Sequence, residues 1–173
     1  MGKEKNEIAV PGQVEAHYLS PFGCFRLVGS PKGLRSVSLV STKPCPAGPI
    51  PRELKEAVKQ LDQYFKQQRE VFDLPLDFSG YTDFHQAVWQ QLVKIPYGRT
   101  TSYLSIAERM GDPKAIRAVG QANRNNPIAI IVPCHRVIAK NGQLQGYFYG
   151  LDFKRRLLEL ENPLSFARQG SLF

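Results

Sequence analysis

A thiol and an imidazole stand side by side at Cys134 and His135, framed by Pro133 on one side and Arg136-Val137-Ile138 on the other. The thiolate is the reactive form of cysteine, and a neighbouring imidazole draws the thiol toward it. Pro133 interrupts the apolar, strand-like run Ile128-Ala129-Ile130-Ile131-Val132. The pattern is that of a sulfur placed to attack an electrophile. Adjacent residues of an extended strand point to opposite faces, so Cys134 and His135 cooperate only if the chain turns at Pro133.

The chain has two further cysteines, Cys24 and Cys45, so its three thiols cannot all pair internally. Cys24 reads as a small apolar residue within a strand, and Cys45, in Pro44-Cys45-Pro46, as a bystander in a loop. His17 and His85 form no compact ligand cluster with them, which argues against a structural zinc. No 18-residue apolar run occurs, and Met1-Gly2-Lys3-Glu4-Lys5 reads as a solvated start, not a signal peptide. The expectation is a cytoplasmic protein with reduced thiols. The net charge of +8 is uneven: residues 81–173 carry 12 basic and 6 acidic groups, against 11 and 9 in residues 1–80. That excess favours a polyanionic partner.

The elements that must carry the motif fall into two parts. Cys24–Val28 and Leu34–Val40 read as strands joined by a hairpin at Gly29–Gly33, with a third strand around Val14–Leu19. Thr42–Pro51, rich in proline and glycine, reads as a loop before a helix over Arg52–Lys66, whose Leu54, Val58, Leu61 and Phe65 share one face. After an extended stretch, Phe72–Phe78, the pattern turns helical. Phe84, Val88, Leu92 and Ile95 line a helix ending at Pro96-Tyr97-Gly98. Thr101 or Ser102 caps the next helix, which ends before Gly111; Asp112-Pro113 then starts one that runs to about Arg124. Helix, glycine-containing turn, helix is a helix-turn-helix pattern. The expected domains are an N-terminal α/β unit over 1–79, a mainly helical unit over 80–161 and a tail over 162–173.

In the second helix of that pair, Arg117 and Arg124 stand among Ala118, Gly120 and Ala122. Small residues let a helix backbone approach a narrow surface such as the minor groove, about 6 Å wide. They equally permit close packing on a core. The residues alone leave both open.

Asn126-Pro127, Ile131-Val132-Pro133-Cys134-His135-Arg136-Val137, Gly146-Tyr147, Leu151, Lys154 and Leu157-Leu158-Glu159-Leu160-Glu161 closely resemble the O6-alkylguanine-DNA alkyltransferases. Upstream, Phe84, Val88-Trp89, Ile95-Pro96-Tyr97-Gly98, Thr100, Ser102-Tyr103 and Ala107 fit the same pattern in register. The resemblance implies an α/β fold, a small antiparallel sheet with a helix in a ribonuclease-H-like unit followed by the helix-turn-helix unit. It also implies a reaction without metal or organic cofactor. The cysteine takes an alkyl group from O6 of guanine in double-stranded DNA, with O4 of thymine as a second substrate, and keeps it, so each monomer acts once.

Carried onto this sequence, the resemblance makes Cys134 the acceptor, His135 the base that takes its proton through a water, and Glu161 the carboxylate orienting that histidine. Asn126 holds the turn at the cysteine, and Tyr103 offsets charge on the departing guanine. Arg117 enters the duplex in place of the extruded base, and Ala118, Gly120, Ala122, Arg124 and Arg136 complete the DNA-contacting set. Tyr103, Val137, Tyr147, Phe148, Tyr149 and Lys154 line the base pocket.

Two features depart from the family pattern. Phe148 and Tyr149 stand where the family has two small residues, and the expectation is a pocket that favours methyl over bulky adducts. Gln169-Gly170-Ser171-Leu172-Phe173 resembles the short peptide with which bacterial repair proteins bind the sliding clamp. The competing reading is a lesion sensor similar to the alkyltransferase-like proteins, which bind and flip the base without accepting the alkyl group. Those lack the cysteine.

Overall fold

The computed structural model describes residue 5 and residues 7–164. They form two compact units: one reaches to Tyr81 and includes Pro127–Ala129, the other comprises Thr82–Asn126 and the chain from Ile130 onward.

In the first unit, β1 (Val14–Ser20), β2 (Gly23–Ser30) and β3 (Gly33–Val40) form an antiparallel sheet in that order. Gly33, at φ 147°, is required where it stands, because a Cβ there would lie 2.5 Å from the Pro75 carbonyl oxygen. That close approach lets Leu34 N donate to Pro75 O at 2.8 Å and adds the extended segment to the sheet edge. Helix α1 (Arg52–Phe65) buries Leu54, Ala57, Leu61, Tyr64 and Phe65 on its inner face, and Val58 is only half-buried. Beneath the sheet, Arg35 pairs with Asp77 at 3.0 Å with both side chains buried.

The reduced-thiol expectation is corrected here: Cys24 and Cys45 form a disulfide. Cys24 lies opposite Val40 at the end of β3, so the chain leaving β3 passes back beside β2 and brings Cys45 to it. Sequence spacing carried no sign of that return.

The second unit is mainly helical. Thr82 caps α2 (Asp83–Val93) by accepting from His85 N. The two-residue strand β4 (Thr101–Ser102) leads into α3 (Tyr103–Arg109), whose N-cap is Ser102. Asp112 caps a 3-10 turn over Pro113–Ala115, which leads into α4 (Ile116–Arg124). Helices α3 and α4 are the helix-turn-helix. Strand β5 (Val137–Ile138) pairs in parallel with β4, and α5 (Leu151–Glu161) follows. Val88, Trp89, Leu92, Ile106, Val119, Val132 and Leu157 form the core. None of the helices among the described residues is long and apolar enough to cross a membrane.

The apolar run before Cys134 is not one strand. Val37 N donates to Pro127 O at 3.0 Å and Ala129 N to Val37 O at 3.1 Å, both within the first unit. Ile130 then takes φ 72°, a left-handed conformation costly for a β-branched side chain, and the chain is turned before it reaches Pro133.

Candidate active site

Cys134 opens a 3-10 turn, Cys134–Arg136, so sulfur and imidazole leave successive positions of a turn instead of opposite faces of a strand. Cys134 N donates to Val132 O at 2.8 Å and Arg136 N to Pro133 O at 3.0 Å. Both side chains are enclosed, with Cys134 3% exposed and His135 0%.

The last turn of α5 delivers Glu161 to this site. Its Oε1 lies 2.6 Å from His135 Nε2. Arg136 donates to the same carboxylate in a fork, Nε to Oε2 at 2.9 Å and Nη2 to Oε1 at 3.0 Å, and Gly98 N donates to Oε2 at 3.2 Å. Burial alone would push the Glu161 carboxyl up, but His135 and Arg136 hold it well below the usual carboxylate range. An ionised Glu161 only accepts, so the proton of the neutral imidazole sits on Nε2 and the lone pair on Nδ1. Burial pushes the His135 pKa down against the pull of Glu161, which keeps the ring neutral. Nδ1 is buried and has no hydrogen-bond partner among the described residues. His135 is therefore anchored through Nε2, with the Nδ1 lone pair unoccupied among the described residues.

Arg136 was expected to contact DNA, and this is corrected. It is 5% exposed, faces inward, donates to Ile95 O at 2.7 Å and lies over the Tyr97 ring at 5.7 Å. A guanidinium so enclosed requires its carboxylate, and Glu161 supplies it. Ala122 is corrected likewise: it is fully buried, and its carbonyl accepts from Trp89 Nε1 at 2.8 Å. Arg117, Ala118 and Arg124 are exposed on α4, and Gly120 is half-buried. A Cβ on Gly120 would meet the Tyr103 ring at 3.8 Å, an ordinary contact, so nothing inside the protein demands glycine there.

Lys154 and Tyr103 flank the cysteine. Lys154 Nζ donates to Val137 O at 2.5 Å and Gln145 O at 2.9 Å, and burial pulls its pKa down to about 8, opposed by Cys134. The Tyr103 hydroxyl donates to the same Gln145 carbonyl at 3.0 Å. Its pKa is pushed up to about 12 by burial and then by Cys134, so it stays a donor. Val137 and Tyr147 are buried; Phe148 and Tyr149 are half-buried. Tyr149 packs edge-on against Tyr147 at 5.8 Å and Phe153 at 6.1 Å, and Phe148 against Tyr149 at 5.0 Å. The rings thus form a cluster anchored on α5.

Asn126 Nδ2 donates to Val132 O at 2.7 Å. Asn123, which the sequence reading passed over, donates from Nδ2 to Cys134 O at 3.3 Å. Its signal was an amide among the inward residues Val119 and Ala122, three positions before Asn126. Among the described residues no group of three or more His, Cys, Asp or Glu is placed to hold a metal ion. The clamp-like peptide Gln169–Phe173 lies outside the described residues.

Comparison with known proteins bears on this geometry. Residues 83–163 match the DNA binding domain of 6-O-methylguanine DNA methyltransferase, and residues 14–78 its ribonuclease-like domain. The methylated-DNA–protein-cysteine methyltransferase of Methanosarcina barkeri is 48% identical over 147 residues, 82% of this chain and 92% of that protein. That of Mycobacterium leprae is 51% identical over 146 residues, 82% and 88% of the two chains. A Mycobacterium tuberculosis structure described as in complex with DNA aligns with a TM-score of 0.76 and 47% identity, covering 85% of this chain and 91% of that one.

Proposed function

The chain belongs to the 6-O-methylguanine DNA methyltransferase family, and from that premise we propose how its own residues repair DNA. The reaction moves a methyl or other alkyl group from O6 of guanine to the sulfur of Cys134; O4 of thymine is the second substrate of this reading. The observation that carries the proposal is the buried Cys134 beside an imidazole whose Nε2 is fixed by Glu161 and whose Nδ1 is left to act as base.

His135 Nδ1 takes the thiol proton through a water. The thiolate attacks the alkyl carbon, the S–C bond forms, the C–O6 bond breaks, and its electron pair leaves with guanine. The Tyr103 hydroxyl exchanges the Gln145 carbonyl for the base and donates to it as negative charge develops. Regenerating the thiol would require thiolate to leave the alkyl carbon of a neutral thioether, and thiolate is a poor leaving group there, so each chain reacts once. The lesion sensors lack the acceptor; with Cys134 present, that reading holds only if Phe148 and Tyr149 block the transfer.

Reaching a base inside a duplex requires flipping it out, at a cost of roughly a few kcal/mol of unstacking. Exposed Arg117 fills the gap, and Ala118, Gly120 and Arg124 carry α4 along the minor groove. These contacts go mainly to the backbone, which suits a protein that must test any guanine. We read Phe148 and Tyr149 as narrowing the pocket, Asn126 as holding the turn, and Val137, Tyr147 and Lys154 as its fixed wall.

We further place the protein as a cytoplasmic monomer whose tail, Gln169–Phe173, docks on the bacterial sliding clamp. A peptide of residues 162–173 that shows no binding to a clamp in fluorescence polarisation removes that docking. The transfer is tested by intact mass after incubation with O6-methylguanine DNA. The gain of one methyl group by the protein, and none by Cys134→Ser, is expected; tight binding without a mass change overturns it.

A further inference from the structure

The end of α4 and the residues just beyond it are fastened to the backbone around the nucleophile. Asn126 holds the Val132 carbonyl, and one turn earlier Asn123 holds the carbonyl of Cys134 itself. Asn123 is 2% exposed, and its Oδ1 is buried with no hydrogen-bond partner among the described residues. A buried amide satisfied on one side only contributes little to stability, because the orphaned acceptor offsets the bond its nitrogen makes. An apolar residue of the same size would serve packing as well. The amide is explained by where its nitrogen points.

We propose that Asn123 is a positioning residue for alkyl transfer, a strut that sets the Cys134 peptide from the helix that reads DNA. This rests on the reading of α4 as the DNA-contacting helix and of Cys134 as the acceptor. Arg117 and Arg124 lie on the exposed face of α4, and Asn123 lies on its buried face. A shift of α4 against the duplex is therefore transmitted through the Asn123 side chain to the Cys134 carbonyl itself, beside the tie that Asn126 makes to Val132. Displacing a nucleophile by about 1 Å can cost on the order of 100-fold in rate. The position of the Cys134 carbonyl also fixes where the 3-10 turn starts, and hence the direction in which the sulfur leaves it.

Two variants test the strut, Asn123→Leu, which keeps the volume and removes the amide, and Asn123→Gln, which keeps an amide donor on a longer chain. Each is mixed in excess with duplex DNA containing O6-methylguanine, and the single-turnover rate is followed against protein concentration to separate the half-saturation constant from the limiting rate. The expected result is a limiting rate reduced at least about tenfold in Asn123→Leu. Its half-saturation constant stays within about twofold of the wild type, and Asn123→Gln recovers part of the rate. An Asn123→Leu protein that reacts at the wild-type limiting rate overturns the proposal. So does one whose loss lies wholly in half-saturation, since that assigns Asn123 to the DNA-binding surface alone. If Asn123→Leu does not fold, Asn123→Gln decides: wild-type or partial activity supports the strut, and none overturns it. Wild-type protein that takes up no methyl group under the same conditions instead removes the reading of Cys134 on which the strut depends.

Discussion

His135 Nε2 lies 2.6 Å from Glu161 Oε1, with both side chains fully enclosed, across 26 residues of sequence. The pair fixes the tautomer of the imidazole and shares its carboxylate with Arg136. Exchanging Glu161 for Gln keeps the shape but removes the charge that both neighbours need. The limiting transfer rate of Glu161→Gln should fall on the order of 100-fold or more, as expected for a misdirected general base. Its stability should drop by about 3 kcal/mol, because Arg136 is left as an uncompensated buried cation. Single-turnover kinetics and urea unfolding report the two separately, and a variant normal in both contradicts the assignment.

The same pair sets the response to acid. Burial lowers the folded pKa of His135 below 6.5, so below that value the unfolded chain takes up a proton that the folded chain refuses. Glu161 is held below its ordinary 4.5, so its contribution is present above that value and lost as pH falls through the folded pKa. Both act in one direction: stability falls as pH drops, beginning near the histidine range and steepening in the carboxylate range. The acid limb of the transfer rate should therefore lie below 6.5, the ordinary histidine value. A limb centred above it shows a base with raised basicity and contradicts the account.

Arg136 and Arg117 should separate cleanly. Arg136→Met leaves the DNA surface unchanged, so the salt dependence of DNA binding is retained while stability falls by about 3 kcal/mol. Arg117→Ala should leave unfolding unchanged and weaken binding to lesion DNA, because nothing then fills the gap left by the flipped base. Titrations at several salt concentrations check both, and a reduced slope in Arg136→Met would falsify its assignment to the interior.

How much of this was legible beforehand depended on distance along the chain. Adjacent Cys134 and His135, the cap at Ser102 and the helical spans could be argued from local spacing, because propensity and periodicity are local. Arg136 misled for the same reason: beside a reactive cysteine in a basic half of the chain it reads as a surface cation. Only the return of α5, which brings Glu161, and the chain leaving α2, which brings the Ile95 carbonyl, turn it inward. Ala122 failed in the same way, since a stripe of small residues does not state which of its members faces the core. The Cys24–Cys45 bond depends on the path of a proline-rich loop, and Asn123 on the turn of a backbone 11 residues later.

Phe148 and Tyr149, proposed to narrow the pocket, pack as a cluster with Tyr147 and Phe153. Wild-type protein should react with O6-methylguanine DNA at least about tenfold faster than with O6-benzylguanine DNA. The double exchange Phe148→Ser and Tyr149→Gly should narrow that ratio, read from competition between the two labelled duplexes. Equal rates in the wild type show that the rings do not limit the pocket.

The central claim is that Cys134 is the acceptor and is consumed. The most direct measurement is incubation of limiting protein with excess duplex carrying O6-[methyl-³H]guanine, followed by label counting and peptide mapping. The account predicts uptake that stops at one methyl group per chain, all of it on the peptide containing Cys134, with an equal amount of guanine restored in the DNA. Lesion DNA bound without label on protein, label on another residue, or repair continuing past one equivalent contradicts it.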